Sequence, residues 1–98
     1  VADVKKSSEY LNSKLAELES ATNEIIEIRG MGLLFAIQFS SEISADVIDS
    51  CNKLGLLLNA VRPDAIRLMP PLTISISEID EAIEKLKEGI QQVLNAKD

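Results

Sequence analysis

Histidine and tryptophan are absent from this 98-residue sequence, and Cys51 is its only cysteine. Without histidine no Ser-His or Cys-His nucleophile pair can form, and no imidazole can ligate a metal. One cysteine cannot close an internal disulfide, which fits a reducing, cytoplasmic setting. Aromatic residues are 3% of the chain against 46% hydrophobic residues, so the core must be aliphatic. Basic residues number 10 against 16 acidic ones, for a net charge of −6. That balance argues against nucleic acid, whose phosphates need basic patches. No apolar run approaches the roughly 20 residues that would span a bilayer. The N-terminal Val1-Ala2-Asp3-Val4-Lys5-Lys6 has no initiator Met and no apolar signal core, so it reads as an internal stretch of a longer protein.

What is present has clear periodicity. Val4, Leu11, Leu15 and Leu18, with charged residues between them, predict an amphipathic helix over about 3–20. It would be a surface helix or an interdomain connector. Ser20-Ala21-Thr22-Asn23 breaks it. Ile25–Arg29 and Leu33–Phe39 predict two antiparallel strands joined at Gly30-Met31-Gly32, with Leu33, Phe35, Ile37 and Phe39 on one face. Ser44 is expected to cap a helix running to about Leu54, with Ala45, Val47, Ile48, Cys51 and Leu54 buried and Gly55 just beyond its end. Leu56–Ala60 predicts a buried strand and Val61-Arg62-Pro63-Asp64 a turn. Ala65–Leu68 predicts a short strand ended by Pro70-Pro71. Ser75-Ile76-Ser77-Glu78 fits a capping box, with Ser77-Glu78-Ile79-Asp80 as a competing register, before a helix from about Ser77 to Asn95. The order α-β-β-α-β-β-α implies an α+β fold, with a small antiparallel sheet covered by helices on one face. The chain is expected to be one domain over 1–98, with a lead-in helix over 1–22 and an α+β core over 23–98. Its other sheet face would be exposed or covered by something outside the chain.

Few residues offer chemistry. Arg67 interrupts an apolar run before a rigid proline corner, where a guanidinium could grip a carboxylate through two parallel hydrogen bonds. Alternation with Ile66 and Leu68 equally allows a plain exposed strand arginine. Arg29-Gly30-Met31-Gly32 lacks a full glycine-rich phosphate motif and suits a turn. Cys51 falls on an apolar helix face and is expected to be a core residue. Asp46/Asp49 and Glu81/Glu84/Glu88 suit solvated helix faces. No lysine lies in an apolar setting that would lower its pKa for Schiff-base work. The residues alone assemble no catalytic group and no metal site. They leave three possibilities open: a substrate-gripping piece of an enzyme, a stand-alone amino-acid-sensing or interaction module, and a dimerisation domain.

Four stretches resemble a known family in order and approximate spacing. They are Glu27-Ile28-Arg29-Gly30-Met31-Gly32-Leu33-Leu34-Phe35-Ala36-Ile37, Gly55-Leu56-Leu57-Leu58-Asn59-Ala60, Ala65-Ile66-Arg67-Leu68-Met69-Pro70-Pro71-Leu72-Thr73-Ile74, and Ser75 to Leu86. Together they resemble the C-terminal small domain of class III aminotransferases, the pyridoxal-phosphate enzymes, most closely the acetylornithine branch. The resemblance implies a parent enzyme that moves an amino group from N-acetylornithine to 2-oxoglutarate in arginine biosynthesis, as a homodimer. It implies that Arg67, which matches a family arginine, binds a substrate carboxylate. The family's Schiff-base lysine, the aspartate at the cofactor's pyridine nitrogen and its phosphate ligands lie in a large domain, and nothing here matches them. Pyridoxal 5'-phosphate is therefore expected in the full-length enzyme and not on this chain alone. The expected partners are the large domain of the same chain and amino-acid and 2-oxo-acid substrates, with no nucleic acid and no membrane.

Overall fold

A computed structural model describes residues 4–31, 34–56, 58–70 and 74–96. Helix α1 (Val4–Ala21) buries Ser7, Leu11, Leu15 and Leu18, one stripe at spacings of four, four and three. The Val4 side chain lies outside the described residues. Ser7 takes part in the stripe by donating to the Ile74 carbonyl at 3.5 Å, a long contact. After the helix, the Thr22 hydroxyl accepts from the Glu24 N–H at 3.3 Å and tightens the turn.

Strands β1 (Ile25–Met31) and β2 (Leu34–Phe39) form the expected antiparallel hairpin. Phe35, Ile37 and Phe39 point into the core. Leu33, expected to join them, lies outside the described residues, as does Gly32. Gly30 faces Phe35 across the hairpin, and a Cβ there would run into the phenyl ring.

Helix α2 spans Ser44–Lys53, but Ser44 does not cap it. Ile43 occupies the cap position with no side-chain hydrogen bond, and Ser44 lies inside the first turn. The Ser44 N–H donates to the Pro63 carbonyl at 3.0 Å, which draws the residue into the core and leaves its hydroxyl buried without a partner. That rotation buries Ser44, Val47 and Cys51, at i, i+3 and i+7, and turns Ala45 to solvent, contrary to expectation. Asp46 in the first turn and Lys53 in the last complement the helix dipole. Gly55 follows with φ +90°, a left-handed conformation that side chains with a Cβ rarely adopt.

The next strand is displaced from its expected place. β3 spans Asn59–Arg62, so Val61 and Arg62 extend the strand and the turn shrinks to Pro63-Asp64. Every residue of β3 is exposed, because it is an edge strand; of the apolar run before it, Leu58 is the buried residue and Leu57 lies outside the described residues. β4 (Ala65–Leu68) matches expectation, with Ile66 and Leu68 buried and Arg67 exposed. Pro70 ends the run, and Pro71 lies outside the described residues. α3 spans Ile76–Ala96 and buries Ile79, Ile83, Leu86, Gly89, Ile90 and Val93. The first of the two capping registers is the one formed. The Glu78 N–H donates to the Ser75 hydroxyl at 3.2 Å, and the Ser75 N–H donates to the Glu78 carboxylate at 2.9 Å.

The four strands form one antiparallel sheet in the order β1-β2-β4-β3. All three helices contribute to one apolar cluster with Phe35, Ile37, Phe39, Ile66 and Leu68. The fold is α+β, with the helices on one face of the sheet. α1 packs on β1 and α3, while α2 packs on α3, β3 and β4. No helix among the described residues is long and apolar enough to cross a membrane.

Candidate functional site on the open sheet face

Strand alternation assigns the residues between the buried ones to the face that the helices leave uncovered. The register orders them in rows across the sheet. One row is Arg29, Ala36, Arg67 and Asn59. The next is Glu27, Gln38, Ala65 and Arg62. The sequence has three arginines, and all three stand on this face. Every described lysine is on a helix. The open face is therefore the arginine-bearing surface of an otherwise acidic protein.

The three guanidinium groups differ in their partners. Arg62 Nε lies 3.7 Å from Asp64 Oδ1, and Gln38 Nε2 donates to the other Asp64 oxygen at 3.3 Å. Arg29 Nε lies 3.1 Å from Glu27 Oε1, and that carboxylate holds the guanidinium in its charged form, raising its pKa above the ordinary arginine value. Arg67 has no ion pair or hydrogen bond among the described residues. It is exposed beside Ala36 and lines a shallow groove of about 310 Å³ with Arg29, Gly30, Leu34, Ala36 and Val61. A second groove of about 370 Å³ adjoins it over Gln38, Ala65 and Arg62. Ala36 keeps the floor low between Arg29 and Arg67, so a planar ligand group can approach the guanidinium groups from above. Such a surface suits recognition of a carboxylate.

The other singled-out residues do not join this site. Cys51 is fully buried, and burial pushes its thiol up to about 11, so it is not a nucleophile at neutral pH. Its Sγ lies against α3, 3.9 Å from the Lys85 carbonyl. No group of three or more His, Cys, Asp or Glu side chains that could hold a metal ion occurs among the described residues. Lys53 and Lys85 are engaged by Asp49 and Glu81 along their own helices, at 3.2 and 2.9 Å. Sequence reasoning placed Arg29 at the end of a strand and in a turn motif without a binding role, and gave Arg62 to a turn. The segregation of arginine to strands and lysine to helices was a legible signal for both.

Residues 1–90 match the family described as aminotransferase class-III. The chain belongs to the class-III aminotransferase family. It is 44% identical to an acetylornithine aminotransferase of Bacillus subtilis (strain 168) over 82 residues, which is 83% of this chain and 20% of that protein. It is 33% identical to a succinylornithine transaminase of Yersinia pseudotuberculosis over 96 residues, 95% of this chain and 23% of that protein. Among solved structures, an N-acetylornithine aminotransferase from Stenotrophomonas maltophilia K279a superposes with a TM-score of 0.87 at 26% identity, covering 95% of this chain and 26% of that one. The chain thus spans about a fifth to a quarter of the length of the aminotransferases it matches.

Proposed function

We propose that this chain is the substrate-gripping C-terminal domain of an acetylornithine-type aminotransferase, with Arg67 holding a substrate carboxylate. The observation that carries this reading is Arg67 itself, an exposed guanidinium on the open face of the sheet with no ion pair or hydrogen bond among the described residues. Its strand neighbours Ile66 and Leu68 are buried and fix the strand, so the side chain leaves the sheet from a defined point. The full-length enzyme would take an amino group from N-acetylornithine and deliver it to 2-oxoglutarate, in arginine biosynthesis. 2-Oxoglutarate carries a carboxylate beside its reacting carbon, and N-acetylornithine carries one four bonds from its amine-bearing carbon, so one arginine can hold each in turn only with the two ligands placed differently. Residues 1–22 would lead in from a large domain, and that domain would cover part of the open face. A homodimer in the cytoplasm is the expected working form.

The family's cofactor, pyridoxal phosphate, supplies an electron sink for carbanion chemistry when it is bound. The described residues of the open face offer it no covalent anchor. The open face presents guanidinium, carboxylate and amide groups but no amine for covalent attachment, since every described lysine stands on a helix. The cofactor's attachment would therefore lie in the large domain. Cofactor mixed with the 98-residue chain should leave no absorbance band that survives dialysis. A stoichiometric band would contradict this division of labour.

Arg67→Ala in the full-length enzyme is the direct test of function. It should raise KM and lower kcat/KM by about 1.5–3 kcal/mol for both N-acetylornithine and 2-oxoglutarate, the range for a hydrogen bond to a charged group. Unchanged kcat/KM for both substrates would refute the assignment.

A further inference from the structure

β1 and β3 are the two ends of the sheet, so each has one side with no neighbouring strand among the described residues. The hydrogen bonds fix which backbone groups of β1 lie on its free side. The Phe39 N–H donates to the Asp64 carbonyl, on the β4 side, and the Ser40 N–H to the Glu24 carbonyl, on the β1 side, both at 2.7 Å. Backbone bonds along β2 therefore point alternately toward β4 and toward β1. Gln38 and Ala36 fall on the β1 side, where they pair with Glu27 and Arg29. Ile28, between those two, and Gly30 after them turn N–H and C=O to the free edge. Such an unpaired row is a template for another extended strand.

The side chains along this edge complement themselves. Glu27 and Arg29 stand on the open face, one residue either side of Ile28, while Ile28 packs half-buried against the core on the helix face. A two-fold axis through Ile28 lays a second β1 antiparallel to the first. It sets Ile28 against Ile28, and Glu27 of each copy against Arg29 of the other. The central pair then exchanges both ladder bonds. The Glu27–Arg29 pairs take the non-hydrogen-bonded positions, where facing Cα atoms are about 4.5 Å apart and side chains come closest. Within one chain Glu27 Oε1 already lies 3.1 Å from Arg29 Nε. The two-fold closes four charges into a ring of alternating sign, and the five N–H donors of each guanidinium can serve both flanking carboxylates. The same operation puts Ile26, 55% exposed, opposite Gly30, which has no side chain to obstruct it. A parallel copy in register would set like charges together. β3 offers no such match: Asn59, Ala60, Val61 and Arg62 carry a single charge, and Pro63 follows.

We infer that the free edge of β1 is a self-recognition surface. A second copy of this chain adds to it antiparallel about Ile28 and joins the two four-stranded sheets into one. The contact is isologous, each copy presenting the same segment to the other. The bulge at Ile26 keeps the pairing short, so the association is weak and concentration-dependent.

Sedimentation of the 98-residue chain over a range of concentrations tests it. The mean mass should rise from 10.7 kDa toward twice that value, and exchange of the Ile28 amide should slow as it does. Arg29→Glu and Glu27→Arg each place two like-charge pairs across the edge and should weaken self-association by about tenfold. Mixed in equal amounts, the two variants should associate as well as the parent, because every facing pair in the mixed dimer is opposite in sign. The double variant Glu27→Arg/Arg29→Glu should also associate like the parent. Val61→Lys, on β3 and beside the open-face groove, should change nothing. A chain that stays monomeric throughout, single variants that associate like the parent, a mixture no better than its components, or loss of association in Val61→Lys would each overturn the inference.

Discussion

Gly89 sits in α3 where it crosses α2, and replacing it with alanine probes the close packing of the two helices. A Cβ at that position would lie 2.5 Å from Cys51 Sγ, 3.4 Å from the Cys51 nitrogen and 3.6 Å from its Cα. The last two distances are near ordinary contact, so the sulfur alone must yield. It has little room, because Cys51 is fully buried against the Lys85 carbonyl. In an exposed helix the same change would stabilise by about 1 kcal/mol through helix propensity. Overpacking a filled core costs about 1–3 kcal/mol. Gly89→Ala should therefore destabilise by about 1 kcal/mol net, read as a fall in the urea midpoint at constant slope. Cys51→Ala alone should cost about 1 kcal/mol by emptying part of the same space. Combined, the alanine methyl fills the void left by the sulfur. The double variant should then be about as stable as the parent chain, with a coupling energy of about 2 kcal/mol. Additive losses, or a Gly89→Ala variant more stable than the parent, would refute the packing account.

The helix caps and the buried thiol give further outcomes. Ser75→Ala should cost about 1 kcal/mol of stability by removing one half of the capping box. The Ser75 N–H and hydroxyl hold the Glu78 carboxyl below the usual carboxylate range, so its contribution is present above the unfolded-state pKa and is lost as pH falls through the lowered value; the stability gap between the parent and Glu78→Gln should accordingly close in acid. Ser44→Ala should be neutral or stabilising by up to about 1 kcal/mol, because it removes a buried hydroxyl without a partner, and a loss of that size would mean the hydroxyl caps α2 after all. Cys51 should resist alkylation in the native chain at pH 8 and react at once in urea; its raised pKa also predicts stability falling as pH climbs from 9.0 toward about 11, visible in thermal melts and smaller in Cys51→Ala.

The order of elements was legible because each apolar pattern had one satisfactory partner. The alternation Phe35, Ile37, Phe39 fits only a half-buried strand, and the stripe from Ile79 to Val93 fits only a helix with one covered face. Misplacements arose where tertiary contact overrode local preference. Ser44 has the chemistry of a cap, but the Pro63 carbonyl takes its N–H and rolls it inward. Leu56-Leu57-Leu58 looks like a buried strand by composition, yet the pairing with β4 starts at Asn59, so the strand is the polar, exposed stretch that follows. Gly89 drew no notice in sequence, since the reason for it is a sulfur on another helix. The site was half legible. Arg67 stood out because it breaks an apolar run, whereas the row that joins it to Arg29 through Ala36 is a property of strand register, which no single segment contains.

A structure of the full-length enzyme with a bound substrate or dicarboxylate analogue measures the central claim most directly. The account predicts the ligand carboxylate on Arg67 through two near-parallel hydrogen bonds of about 2.8 Å, above the methyl of Ala36. A carboxylate bound elsewhere, with Arg67 engaged by a protein side chain, would contradict it.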